Sequence, residues 1–490
     1  MSTVAISSPA CRRLPAIGNA RLGTWVLPAF VAAVGAVVSL RPALDPDLGW
    51  HLRAGEAILA SHQASHADAF SYTMAGKPWA DFEWLWEAAA TALHSTFGNV
   101  GLVAAGSGVT AIAVLLVYVY LRERRLTPLF AGLGAMAALL NLMPYAAVRP
   151  GMMGPLFLGL DLAIMERVRR GGRLQWLLAL LPAQVLWANV HGSYIQAVLL
   201  CACYGVGLAW ERRRWQAAGP WAALAAVLLT VSLANPLGTG LLRFTLGASG
   251  MRWNHNHNGE WLAPNFHSAG AWPLLATLLL TVAMVAARGR VAIGKPEALL
   301  LLGGTLAALQ SNQFVPFYAV AAAPVTAQLV QGLIQRQVTL NPRLTHGLGF
   351  LAVLGLLLAG AVRGLQPAAY EAAVATEYPA GAVAFIQQRG LAGPMFNDFD
   401  WGSYLIGTMP RLPVFVDGRT EMYGDAFLNR YLRTANGLID PEPVLDQYGV
   451  RLVLIKPDSA LATTLRRDRA WSETYHDDVA SVFVPVGSAG

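Results

Sequence analysis

Between residues 24 and 363 the chain returns repeatedly to apolar stretches of helical length, with short polar turns between most of them. A hydrocarbon core ~30 Å thick takes about 20 mostly apolar residues of helix. Eleven stretches meet that need, near 24–40, 98–120, 127–146, 152–166, 174–189, 194–210, 220–236, 271–287, 296–312, 316–334 and 346–363. Only 13% of the residues are charged, against about 25% in soluble proteins. The expected fold class is a polytopic α-helical membrane protein of about 11 spans, its first span retained rather than cleaved as a signal peptide.

The net charge of +7 marks orientation here rather than nucleic-acid binding, because its cations alternate between turns. Alternate turns carry Arg122, Arg124 and Arg125; Arg167, Arg169, Arg170 and Arg173; Arg212, Arg213 and Arg214; Arg288, Arg290 and Lys295; and Arg336 and Arg343. Lys and Arg are enriched on the cytoplasmic side. This puts the amino-terminal segment 1–23 in the cytoplasm and everything after Arg363 outside. The expected domains are a membrane core over 24–364, which includes a long first outside loop at 41–97, and an extracytoplasmic α/β domain over 365–490. In the latter, "AVAFIQQRG" reads as a helix, and "PMFND", "LPVFVDG", "VRLVLIK" and "VASVFVPV" as strands. Cys11, Cys201 and Cys203 form neither a disulfide framework nor a zinc-ligand pattern.

Polar chemistry gathers on the outside. The first loop opens with Asp45-Pro46-Asp47, and a helix starting there sets Asp47 and His51 four residues apart on one face. Leu48, Trp50, Leu52 and Ile58 give that helix an apolar side suited to lying on the membrane. Its acids serve equally well as plain helix caps. Further candidates are Glu83 and Trp84 in "PWADFEWLWE", Arg149, Asn189 and His191 in "WANVHGSY", Arg243, and Glu260 and Trp261 in "WNHNHNGEWLAPNF". The tryptophans also suit interfacial anchoring. In "FVDGRTEMYG", Asp417-Gly418 reads as a turn, with Arg419 pairing an acid. The spans are nearly free of ionisable groups, Asp161, Glu166 and Glu297 being the exceptions, which argues against a transport path through the midplane.

The stretches "DPDLGWHL", "KPWADFEWL", "RPGMM", "WANVHGSY", "ANPLG" and "FNDFDWGSYLIG…VFVDGRTEMYG" resemble a bacterial group within the GT-C superfamily of membrane glycosyltransferases. The resemblance implies a GT-C-like core in the inner (plasma) membrane and a polyprenyl-phosphate sugar donor. The acceptor is an extracytoplasmic glycan, lipid or protein. It further implies inverting transfer with a first-loop acid as general base: Asp47, with Asp45 as its rival and His51 beside it. Substrate contacts then fall to Glu83, Trp84, Arg149, Asn189, His191, Arg243, Glu260 and Trp261. No cofactor is required; Asp45, Asp47 and Glu83 are the acids a divalent cation would use.

Two alternatives stay open from the residues. A lipid-linked glycan polymerase or ligase would rely on Arg252, His255 or His257 instead of the first-loop acids. A non-catalytic scaffold subunit of glycan assembly would keep the fold without turnover.

Overall fold

The computed structural model describes residues 20–286, 293–333 and 367–487, together with Gly355 and Gly360. The first ten apolar stretches are helical, and nearly all of the eleventh, 346–363, lies outside the described residues. The membrane core is built from α1 (Ala20–Val38), α3 (Trp84–Glu123), α4 (Pro128–Leu142), α5 (Met153–Arg169), α6 (Leu180–Val190), α7 (Ile195–Arg212), α8 (Gly219–Val231), α11 (Trp272–Ala286), α12 (Lys295–Gln310) and α13 (Val315–Leu333). The first long loop contains α2 (Leu48–Ser61), and α9 (Thr239–Ser249) and α10 (Arg252–His257) follow α8. Among the described residues, four helices are long and apolar enough to cross a bilayer: Trp84–Glu123, Pro128–Tyr145, Gly192–Arg212 and Asn312–Gly332.

Proline and glycine set several boundaries. Pro128 and Pro296 occupy the first turns of α4 and α12, where a missing amide donor costs nothing. Gly98 breaks α3 with φ 59° and ψ −157°, conformations that suit glycine. The apolar stretch expected at 98–120 begins at this break. Helices α1, α2, α4 and α5 all pack on α3, and α7 joins α8 to α12.

The carboxy-terminal region carries a four-stranded sheet of order β1-β2-β4-β3: β1 (Met395–Asn397), β2 (Leu452–Ile455), β3 (Trp471–His476) and β4 (Ser481–Pro485). Strands β1 and β2 are parallel, with Phe396 opposite Val453, and the other pairs are antiparallel. Ala380–Arg389 is the helix expected from "AVAFIQQRG". "LPVFVDG" is not a strand of the sheet. Val414 forms one isolated bridge with Ser71, and Asn397 ties down Phe415 and Val416, so the segment is an extended tie onto the first loop. Strand β3 was not expected, because its mostly exposed "WSETYH" lacks an apolar alternation.

The sheet region and the first loop share one core. Trp50, Ala54 and Trp79 pack with Tyr378, Trp401, Leu405 and Val482. Met74 and Trp253 join Phe396, Phe415 and Leu428 in a second cluster. Helix α2 is thus buried by protein rather than laid on lipid: Leu48, Trp50, His51, Ala54, Gly55 and Ile58 are all covered.

Candidate functional site

Asp47 sits at the N-cap of α2, but its side chain caps no amide there. Asp45 takes that local role, its Oδ1 accepting from the Asp47 amide at 3.0 Å. Asp47 Oδ1 instead accepts from the Trp50 indole at 2.9 Å. The two acids differ further in their partners. Asp45 is buried and faces Arg149 Nε at 3.4 Å, and the same guanidinium binds Glu260. Asp47 is half-buried and forms no ion pair among the described residues, though the Arg149 charge reaches it. Burial, followed by the neighbouring Asp45 charge, pushes its carboxyl from 3.8 up to about 7, the Trp50 bond opposing. Burial also raises Asp45, against the pull of Arg149.

A second layer lies beside this pair. His51 does not meet Asp47 through its side chain. Its Nδ1 lies 3.0 Å from Glu87 Oε1 and its Nε2 3.8 Å from Glu83 Oε2. Glu83 also faces His191 Nε2 at 3.7 Å, and His191 Nδ1 bonds Ser193 Oγ at 2.7 Å. Burial, with Asp47 nearby, raises Glu83 well above the usual carboxylate range. Burial, aided by Arg149, lowers His51 well below its ordinary value and His191 to about 4. With both imidazoles lowered, none of these contacts is an ion pair at pH 7: the one to Glu87 is a hydrogen bond, and the two to Glu83 are longer than one.

The Trp84 indole donates to Asn189 Oδ1 at 2.7 Å, and Asn189 Nδ2 is held by the Val185 and Ala234 carbonyls. This pair closes one end of an apolar cleft of about 490 Å³ lined by Trp84, Leu85, Pro182, Val185, Leu186, Asn189 and Ala234. Two expected residues stand apart. Arg243 is exposed on α9 and joins no ion pair among the described residues. Trp261 packs edge-on against His255, whose Nε2 lies 2.9 Å from the Ser249 carbonyl. Among the described residues, no three His, Cys, Asp or Glu side chains are grouped to hold a metal. Asp45, Asp47 and Glu83 are not such a set, and Asp45 already faces Arg149.

The sequence reading named Asp417 and Arg419 as a local turn and pair, but gave neither a part in fastening the carboxy-terminal region to this site. Ser403 Oγ accepts from the Trp50 amide at 3.0 Å. Arg419 grips Asp417 through two bonds of 2.8 and 2.7 Å, meets Asp68 at 2.8 Å and lies over the rings of Phe70 and Trp79. Tyr423 closes the group on Asp417 Oδ2 at 2.8 Å. Burial alone would raise the Asp417 carboxyl, but Arg419 holds it below the usual range. Arg419 therefore pairs an acid, as expected, and in addition ties two distant segments together. Only the contact to Asp417 had a local signal.

No family model matches the chain, and no curated protein matches it in sequence. Solved structures do. ArnT from Cupriavidus metallidurans in the apo state aligns over 96% of this chain and 99% of its own, at 15% identity and TM-score 0.56. The same protein bound to undecaprenyl phosphate aligns at TM-score 0.51 and 15% identity over the same shares. The archaeal oligosaccharyltransferase AglB from Archaeoglobus fulgidus, in complex with an inhibitory peptide and a dolichol-phosphate, covers 88% of this chain and 69% of its own. Its identity is 11% and its TM-score 0.55. The chain thus shares its fold with ArnT and with the oligosaccharyltransferase AglB. On this fold, the side chains of Asp45, Asp47, Arg149 and Glu260 gather where the first loop abuts the carboxy-terminal region.

Proposed function

We propose that the protein is a membrane glycosyltransferase. It moves a sugar from a polyprenyl-phosphate donor to an extracytoplasmic acceptor, in the inner membrane of a bacterium, with the amino terminus cytoplasmic and the carboxy-terminal domain outside. The observation that carries this reading is the unequal pair of acids at the start of α2. One is paired with a guanidinium, and the other is half-buried, forms no ion pair among the described residues and is raised to about 7. A general base works best with a pKa near the ambient pH.

In the proposed step Asp47 takes the proton of an acceptor hydroxyl as its oxygen attacks the anomeric carbon. The bond from that carbon to the phosphate oxygen breaks on the opposite face, which inverts the centre. The phosphate departs with the bonding electrons, and Arg149 is the cation placed to stabilise it. Because a phosphate leaves without protonation, one carboxylate suffices, unlike the two that glycosidases use. The apolar cleft beside Trp84 suits the isoprenoid chain of the donor. Structures in complex with undecaprenyl phosphate and with a dolichol-phosphate, on the same fold, support that substrate class. Nothing comparable surrounds His255, whose ring is occupied by Ser249 and Trp261, so a polymerase or ligase centred there is less well supported.

The test is transfer of radiolabelled sugar from a panel of polyprenyl-phosphate sugars in membranes, comparing wild type with Asp47→Asn and Asp45→Asn at equal expression. Loss in Asp47→Asn is expected. Full transfer by that variant would refute the assignment.

A further inference from the structure

The carboxy-terminal region reaches the acid itself. Gly418 lies so close to Asp47 that a Cβ placed on it would overlap Oδ1. Gly418 has no positive φ, so its smallness is required by the approach and not by the backbone. The neighbouring tie is equally close. A Cβ on Gly49 would overlap the Ser403 carbonyl, and one on Gly407 would lie 3.3 Å from Gly49 Cα. Helix α2 and the helix Gly402–Thr408 thus cross with almost nothing between their backbones.

These contacts act on one carboxylate oxygen. Ser403 holds the Trp50 amide, the Trp50 indole holds Asp47 Oδ1, and Gly418 backs that same oxygen. Asp47 Oδ2 accepts no hydrogen bond among the described residues, and it is not sealed from solvent. The turn that presents Gly418 is itself fixed by Asp417, Arg419, Asp68 and Tyr423.

We propose that the carboxy-terminal region completes the catalytic site. Ser403 and Gly418 are positioning residues that hold Asp47 with Oδ1 engaged and Oδ2 facing the acceptor hydroxyl. This rests on the proposed role of Asp47 as base, and it adds which oxygen acts and what aims it. The charged or titratable groups acting on Asp47 are Asp45, Arg149, Glu83, Glu260 and Tyr378. Ser403 and Gly418 carry no charge, so they act through placement.

The test uses the full chain in detergent, with Gly418→Ala and Ser403→Ala, the latter removing a single oxygen without adding bulk. Lys456→Ala, which breaks an exposed pair with Asp400 in the same region, serves as the control. Two quantities are read: kcat and donor KM for transfer, and the pH midpoint at which a hydrophobic carbodiimide couples to protonated Asp47, located by peptide mass spectrometry. Displacement of a catalytic group by about 1 Å costs on the order of 10²-fold in rate. Gly418→Ala is expected to lower kcat by about that factor with donor KM unchanged and to move the labelling midpoint. Ser403→Ala should do both to a smaller degree, and Lys456→Ala neither. A midpoint that stays put in both variants overturns the proposal, even if kcat falls, because the effect would then not pass through Asp47. The labelling needs no turnover. Should Asp47→Asn retain transfer, the base assignment fails while the placement of Asp47 is still decided by the midpoint.

Discussion

The two ends of the helical bundle use the same residue types to opposite effect. At the end marked by basic turns, Arg124 pairs with Glu297 and lies 3.7 Å from Glu166. Arg169 bridges the same two acids at 2.8 and 3.0 Å, and Arg170 adds a bond of 2.5 Å to Glu166. Both glutamates are buried, and each faces at least two guanidinium groups. At the other end Asp45, Asp47, Glu83 and Glu260 share Arg149, and Glu87 lies against His51, one of two histidines that burial keeps neutral. A buried charge is tolerable when it is paired and bonded, and otherwise its proton equilibrium shifts. The first end holds charges matched by opposite charges. The second holds Asp47, raised to about 7 and so able to exchange a proton near neutral pH, which is what a transfer site needs.

The sharpest way to break this comparison is to neutralise one acid at each end. Asp47→Asn is expected to lower transfer by on the order of 10²–10⁴-fold, the usual contribution of a general base. Glu166→Gln is expected to leave turnover per folded molecule near that of wild type. It strips a carboxylate from a buried network, and breaking such a pair costs about 3–5 kcal/mol. Unfolding in detergent, measured alongside transfer, should thus separate the variants in opposite directions. Equal loss of turnover in both would mean that the ends are not functionally distinct.

A second test uses pH. The Asp47 carboxyl rises from 3.8 in the open chain to about 7 in the fold. A group whose folded value is raised gives stability that is full below the unfolded value and is lost as pH rises through the folded one. Between about pH 4 and 7 the site therefore becomes progressively destabilising to wild type. Asp47→Asn, which has no proton to lose, is expected to unfold at a higher temperature than wild type at pH 8, with the gap narrowing at pH 5. The rate should run the other way. Below pH 7 kcat/KM is expected to fall about tenfold per unit as the base is protonated. A flat rate profile from pH 5 to 8 would remove Asp47 from the reaction.

Much of the bundle could be read from the chain because apolar stretches about 20 residues long have few other uses. The first-loop acids were legible for a similar reason, since charge directly after an apolar run is conspicuous. What escaped was contact across long sequence separation. Nothing near Ser403 signals that its hydroxyl holds the amide of Trp50, and Gly418 beside an aspartate looks like any turn. The apolar "LPVFVDG" was expected to be a strand because its β-branched residues demand burial. The carboxy-terminal core supplies that burial, and the first loop supplies backbone hydrogen bonds in place of sheet neighbours. His51 sits on the expected helix, yet its partners lie across the loop at Glu83 and Glu87, a pairing that helical spacing cannot reveal.

The smallest expected effect tests whether the apolar cleft is separate from the acids. Trp84→Phe keeps an aromatic ring against the cleft but removes the indole donor to Asn189 Oδ1. Asn189 keeps its bonds to the Val185 and Ala234 carbonyls, so only one acceptor is left unsatisfied. A single such loss costs about 1–3 kcal/mol when the group is buried, and the half-open setting of this pair places the cost near 1 kcal/mol. Because Trp84 follows Glu83 directly, the substitution is also a close neighbour of the acid cluster. A modest fall in unfolding temperature with an unchanged pH–rate profile would mean that the cleft holds lipid while the acids handle the proton. A shifted profile would mean instead that the helix start carrying both residues moves as one piece, so that filling the cleft tunes Glu83, and through its charge Asp47, when the donor binds.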